Sequence, residues 1–269
     1  MQIVNYQQNN QLVAVLESNA FRYGEGFFTT TAIRKSIPLW LEDHLSRLHD
    51  SLVDFRMGEI CTQDLLLAAY RWVQENHLEQ GLLRIMAWNE AGKVKVYING
   101  GSLNNKSDQQ IGLQGTRYRR HSSHPLLAYK SFNYWMNNLA YQDALEHGYS
   151  EVVFLNERGE ICEGSRSNIY WVRDGLIYTP DKGCGLLPGI CREKVLEAAL
   201  GLGLEMRLGG FQLRELKKAD EVFITNSVSG ITGVSHFENS QRFESRKITE
   251  VLSHAYDSMV DNYLTERTK

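Results

Sequence analysis

At roughly 150 residues per domain, the 269-residue chain has length for about two compact units, and 42% hydrophobic with 23% charged residues excludes extensive disorder. Lys+Arg 29 against Asp+Glu 32 gives a formal net charge of −3, which argues against attachment to nucleic acid or another polyanion by bulk charge. The chain has no run of the ~18 apolar residues a membrane helix needs. Its polar start lacks a signal-peptide pattern, and Cys61, Cys162, Cys184 and Cys191 form no C-x-x-C pair. A reduced, cytoplasmic protein with no membrane or nucleic-acid partner is expected.

In chain order, residues 2–6 and 12–17 flank a Gln/Asn-rich turn and predict a hairpin. A glycine-rich point at 22–26 leads into a strand over 27–33, and residues 36–38 turn the chain back. Leu45, Leu48, Leu52 and Phe55 recur at helical spacing, which puts His44 and Arg47 together on a neighbouring face. A second helix is predicted over 63–76, then a hairpin of strands 82–88 and 93–98 about a turn at 89–92. The polar stretch 100–108 reads as a linker between a small N-terminal α/β domain, 1–112, and a larger C-terminal one, 113–269.

In the second half, Lys130 precedes a helix with Met136, Leu139, Ala140 and Ala144 on one face. Strands at 151–155 and 168–172 are expected around a turn at 156–159. Pro188-Gly189 opens a helix over 189–201, and a short helix at 213–218 feeds a strand at 221–225. Ile248, Val251, Leu252, Ala255 and Met259 mark the last helix. Strands and helices in both halves indicate an α/β (mixed α+β) protein.

Four features carry potential chemistry: Arg47 on a helix face, Lys130 before a helix, Glu163 in Glu163-Gly164-Ser165, and glycine/serine-rich points at 187–192 and 225–230. Singly, each has an ordinary explanation as a solvated side chain, a turn cap or a helix entry. Together they meet one need. A phosphorylated pyridine aldehyde requires a lysine amine, an acid at its ring nitrogen, and an arginine with a helix N-terminus at its phosphate. Arg117, Arg119 and Arg120 read as a solvated strand end or a wall of an anion-binding cleft. His121 and His124 lack a carboxylate or thiol to complete a ligand set, so no metal is expected.

These residues stand in stretches that resemble the class-IV pyridoxal-phosphate enzymes, which include branched-chain and D-amino-acid aminotransferases and 4-amino-4-deoxychorismate lyases. The matching stretches are Tyr23-Gly24-Glu25-Gly26-Phe27-Phe28-Thr29-Thr30, His44-Leu45-Ser46-Arg47-Leu48, Lys130-Ser131-Phe132-Asn133-Tyr134 and Glu160-Ile161-Cys162-Glu163-Gly164-Ser165. Further matches are Leu187-Pro188-Gly189-Ile190-Cys191-Arg192 and Asp220-Glu221-Val222-Phe223-Ile224-Thr225-Asn226. The resemblance implies a two-domain D-amino-acid aminotransferase-like fold with pyridoxal 5'-phosphate in the interdomain cleft, and a homodimer acting on a small-molecule substrate. It assigns Lys130 to carrying the cofactor and moving the substrate proton, and Glu163 to the pyridine nitrogen. It assigns Arg47, Ile190, Cys191, Ser227 and Val228 to the phosphate, Leu187 to the ring face and Tyr134 to the ring hydroxyl. The family's usual threonine is Cys191 here, so a hydroxyl contact to phosphate is lost while the backbone amide remains.

Within the family, Thr29-Thr30 resembles the lyase branch, where aminotransferases commonly carry an acidic residue. Thr30 is then the second catalytic residue, with Thr29, Arg84 and Lys93 as substrate contacts. The expected reaction is elimination of pyruvate from 4-amino-4-deoxychorismate to give 4-aminobenzoate for folate biosynthesis. A class-IV aminotransferase acting on D-amino or branched-chain amino acids is the alternative. The arginine- and glycine-rich loop typical of lyases is replaced by Asn89-Glu90-Ala91-Gly92-Lys93-Val94-Lys95.

Overall fold

A computed structural model describes residues 17–103, 111–239 and 241–267. The hairpin expected over 2–6 and 12–17, and the linker from 104 onward, lie outside the described residues. The chain opens on α1 (Asn19–Tyr23), capped by Ser18 and ended by Gly24 in the left-handed region at φ 71°. β1 (Phe27–Arg34) and β2 (Ile37–Pro38) turn through Lys35 and Ser36, both at positive φ. Next come α2 (Leu41–Asp54) and α3 (Thr62–Glu75), then the long hairpin of β3 (Gln80–Glu90) and β4 (Lys93–Gly101). The Gly92 N–H donates to Asn89 Oδ1 at 3.1 Å, closing that hairpin.

These strands form an antiparallel sheet in the order β2-β1-β3-β4. Strand alternation gives it two unlike faces. Phe27, Ile33, Leu83, Ile85 and Ala87 pack with Leu41, Leu45, Leu48 and Leu52 of α2 and with Leu65, Ala69 and Val73 of α3. Phe28, Thr30 and Arg84 lie on the opposite face, with Thr30 directly across from Arg84.

The second sheet is built from β5 (Ile111–Arg120), β6 (Glu151–Asn156), β7 (Asn168–Arg173), β8 (Leu176–Pro180), β9 (Met206–Gly209), β10 (Glu221–Asn226), β11 (Gly230–Phe237) and β12 (Gln241–Arg242). Its order is β6-β5-β11-β10-β7-β8-β9, with β12 beside β11. α4 (Trp135–Glu146) connects β5 to β6 and α5 (Ile190–Gly201) connects β8 to β9, and each pair is parallel. α6 (Leu213–Leu216) is one short turn, and α7 (Lys247–Arg267) closes the described chain.

The two strands expected around the turn at 156–159 are present but do not pair with each other. β6 does not form a hairpin with β7: after the turn, Leu155 bridges Ile161 and the Cys162 N–H donates to Phe154 O at 2.9 Å. β7 runs between β10 and β8 instead. The return arm thus ends on Cys162 and Glu163, which carries Glu163 to the middle of the molecule.

The two sheets share a core. Ala32, Ile37, Leu39 and Trp40 of the first unit pack with Tyr170, Phe223, Tyr256 and Val260 of the second. Alongside, the Ala32 N–H donates to Ser227 O at 3.1 Å. The fold is the mixed α/β architecture expected, and this seam positions the site.

Candidate active site

The Lys130 segment is stitched to the start of β1. The Phe28 N–H donates to Lys130 O at 2.8 Å, the Phe132 N–H donates to Gly26 O at 2.9 Å, and Ser131 bridges Phe27. This close approach explains Gly24-Glu25-Gly26. A Cβ on Gly26 would fall 2.3 Å from the Phe132 ring, and one on Gly24 would meet Asn133 at 2.8 Å. From the other side, the Tyr129 hydroxyl donates to Asp54 Oδ2 at 2.8 Å, tying the loop to the end of α2. So held, Lys130 Nζ donates to the Tyr134 hydroxyl at 3.2 Å and lies 4.7 Å from the Phe28 ring centroid.

Glu163 is buried, and every hydrogen-bond partner it has among the described residues is a donor: Arg120, Asn168 Nδ2 at 3.0 Å and the Leu187 N–H at 3.1 Å. Burial pushes its carboxyl up, and the Arg120 guanidinium opposes that push. Three donors and no acceptor hold it as the carboxylate. A cavity of about 340 Å³ is lined by Arg120, Tyr134, Glu163 and Leu187 among others. A pyridine ring there has an anion for its protonated nitrogen and a hydroxyl nearby.

The opposite pole is an anion site. Arg47 Nη1 donates to Pro188 O at 3.4 Å and Nη2 to Thr29 Oγ1 at 3.0 Å. Both acceptors are neutral, so a partly buried positive charge is left without a counter-ion among the described residues. Burial lowers this guanidinium to about 10. Pro188 leads directly into α5, whose N-cap, Gly189, supplies no side-chain cap to the first-turn N–H groups of Ile190 and Cys191. A Cβ at Gly189 would lie 2.4 Å from Asn168 Oδ1. An uncapped helix start beside an uncompensated arginine fits a phosphate. The donor set as a whole therefore fits pyridoxal phosphate: Tyr134 links the Lys130 amine to the cavity that Glu163 lines, and Leu187-Pro188 joins that cavity to Arg47 and the start of α5.

The remaining expected residues are placed as follows. Cys191 turns its thiol into the core beside Tyr256, where burial raises it to about 12, so only its amide faces the helix end. In the loop after β10, the Val228 N–H does not stand free for phosphate. It donates to Asn226 Oδ1 at 2.9 Å, as the Ser229 N–H does at 2.8 Å, because an asparagine at this offset closes an Asx turn on its own backbone. Ser227 sits inside that turn. Thr30 and Arg84 share the outer face with Phe28: Arg84 Nε donates to Thr30 Oγ1 at 3.3 Å, and an open recess of about 340 Å³ lies over Arg84, Asn99 and Gly100. Thr29 points the other way, onto Arg47 and His44. Lys93 is exposed at the hairpin tip, six residues along β4 from the Asn99 that pairs with Arg84. That is about 20 Å of strand, so Lys93 is not brought to the site.

Three further residues hold the site, in roles the sequence did not assign them. Of the two readings of Arg120, the solvated strand end does not hold and the cleft wall does: it is buried under Glu163 and lines the cavity, its guanidinium 4.3 Å from the Phe154 ring centroid. Period-2 alternation along β5, with Arg117 and Arg119 exposed, was the available signal. Asn168 carries no signal beyond opening an expected strand, and His44 none beyond its place beside Arg47 in the helix motif.

The family model described as amino-transferase class IV matches residues 26–237. The chain belongs to that family. It is 27% identical to the aminodeoxychorismate lyase of Bacillus subtilis (strain 168), over 97% of this chain and 94% of that protein. It is 28% identical to the branched-chain-amino-acid aminotransferase of Escherichia coli (strain K12), over 89% of this chain and 85% of that protein. Among solved structures, the branched-chain aminotransferase of Thermoproteus uzoniensis superimposes with a TM-score of 0.86 at 25% identity, covering 93% of this chain and 91% of that one. Family membership makes the protein an enzyme of the class-IV pyridoxal-phosphate group acting on a small molecule. Lyase and aminotransferase relatives are about equally similar.

Proposed function

We propose that the protein is a 4-amino-4-deoxychorismate lyase that releases pyruvate and leaves 4-aminobenzoate. The observation that carries this reading is the Thr30–Arg84 pair, a neutral proton-bearing hydroxyl beside a guanidinium on the face that Lys130 overlooks through Phe28. An acidic substrate meets a cation at Arg84, and Thr30 adds no opposing charge.

Arg47 and the first turn of α5 would hold the phosphate, and Leu187 and Tyr134 would contact the ring. Bound there, pyridoxal phosphate supplies an aldehyde that condenses with amines and a protonated ring that withdraws electrons from the attached carbon. Glu163 keeps the ring proton in place. Lys130 takes the proton from the amine-bearing carbon of the substrate. The neighbouring C–O bond then breaks, its electron pair leaves with the enolpyruvyl oxygen, and Thr30 passes a proton to the leaving group, which departs as pyruvate. The new ring double bond completes the aromatic product.

Two coarser expectations go with this reading. The first sheet ends at Gly101 and the second begins at Ile111, so the proposed division at 112/113 falls two residues into β5. A homodimer is expected from family resemblance, and sedimentation of the holoenzyme tests it.

Purified holoenzyme given aminodeoxychorismate without any oxo-acid should release pyruvate and 4-aminobenzoate in equal amounts. Lys130→Ala should slow release by about 10²–10⁴-fold. Turnover that needs an oxo-acid acceptor would replace the lyase with an aminotransferase.

A further inference from the structure

His44 is completely buried, and its role is assigned neither by the family motif nor by the reaction. It precedes Arg47 by one helical turn on α2, so the two side chains leave the helix on the same side. Both converge on one atom. Thr29 Oγ1 lies 3.0 Å from Arg47 Nη2 and 2.6 Å from His44 Nδ1.

The proton inventory fixes the direction of this chain. A guanidinium only donates, so Thr29 accepts from Arg47. The hydroxyl's own proton then needs an acceptor, and His44 Nδ1 is the one within reach. The imidazole is therefore neutral, with its proton on Nε2. Burial, with the charges of Arg47 and Lys130, keeps it neutral by lowering its pKa well below 6.5. Nε2 itself is buried without a partner among the described residues. An imidazole retained at the cost of an unmatched N–H points to the other ring nitrogen as the useful one.

We propose that His44 is a positioning residue for the cofactor phosphate: by accepting the Thr29 proton it makes Thr29 an acceptor for Arg47, which holds the guanidinium at the mouth of α5. Without that acceptor, the Thr29 hydroxyl is free to turn its proton toward Arg47 and repel it. The inference rests on pyridoxal phosphate binding at this cleft. It does not depend on whether the reaction is elimination or amino transfer.

The test is a comparison of affinities in apo protein titrated with pyridoxal phosphate and with phosphate-free pyridoxal, read by absorbance. Wild type should prefer the phosphorylated form; if it does not, the cofactor reading itself fails. His44→Leu should reduce that preference at least about tenfold, as expected for a lost hydrogen bond to a charged network, and leave pyridoxal affinity unchanged. His44→Asn, whose Oδ1 falls near the position of Nδ1, should restore it. A merely structural histidine would weaken both ligands alike. Thr29→Val tests the same chain from the strand side should the helix variant fold poorly. It should lower the preference to the same degree, and Thr29→Val with His44→Leu should lower it no further. An unchanged ratio in His44→Leu, equal loss in His44→Asn, or additive losses in the double variant would overturn the proposal.

Discussion

The buried pair of Arg120 and Glu163 decides how charge is arranged around the cleft. Its side chains are 2% and 8% exposed, so neither ion has water to fall back on. Arg120→Met should leave Glu163 a buried, uncompensated carboxylate and cost about 3–5 kcal/mol in denaturant unfolding. Adding Glu163→Gln should recover much of that loss while abolishing activity. If Arg120→Met melts like wild type, the pair is not the anchor described here. The placing of residues about the site was legible in the sequence wherever a motif supplied both a residue type and an offset, as with Lys130, Glu163 and Arg47. It was not legible where an ordinary residue acquires a role through burial. Arg120 reads equally as a solvated strand end or a cleft wall until the sheet closes over it, and the Val228 amide reads as free until Asn226 is seen to take it.

At the element scale, helix faces and hairpin turns follow from local pattern, and pairing does not. The turn after β6 is plain in Asn156-Glu157-Arg158-Gly159, yet whether its return arm is the segment ending at Glu163 or the next strand depends on contacts far along the chain. The start of α7 shows a second long-range dependence. Glu221, on β10, accepts from the N–H groups of Ile248 and Thr249 and from the hydroxyls of Thr249 and Ser245 at 2.8–3.0 Å. Burial pushes its carboxyl up, but these donors outweigh burial and hold it below the ordinary value of 4.5. A depressed carboxyl contributes stability above its unfolded pKa and loses it as pH falls through the folded one. Glu221→Gln should therefore be less stable than wild type at neutral pH, with the gap closing as pH drops below about 4.5. A gap that stays constant with pH would show that Glu221 acts by shape alone.

For the molecule as a whole, the anion site is where the two sheets meet. Arg47 comes from the helix layer of the first sheet and α5 from that of the second, and Ala32 bonds to Ser227 beside them. A ligand bridging both layers stabilises the folded chain by linkage, about 2.7 kcal/mol at a hundredfold excess over its dissociation constant. Removing pyridoxal phosphate should lower the melting temperature, and phosphate-free pyridoxal should recover less of it. Equal recovery by both ligands would mean that the phosphate does not bridge the layers. Composition and element order foretold the mixed α/β class. The strand order, with parallel neighbours drawn from distant segments, was beyond any local signal.

The backbone bonds joining Phe28 to Lys130 and Phe132 to Gly26 make the amine-bearing segment an added rung on the strand that carries Thr30. On the proposed mechanism, the base Lys130 and the proton donor Thr30 therefore sit on one hydrogen-bonded piece. Breathing between the sheets would alter how reactants enter and products depart, while the spacing between those two groups stays fixed.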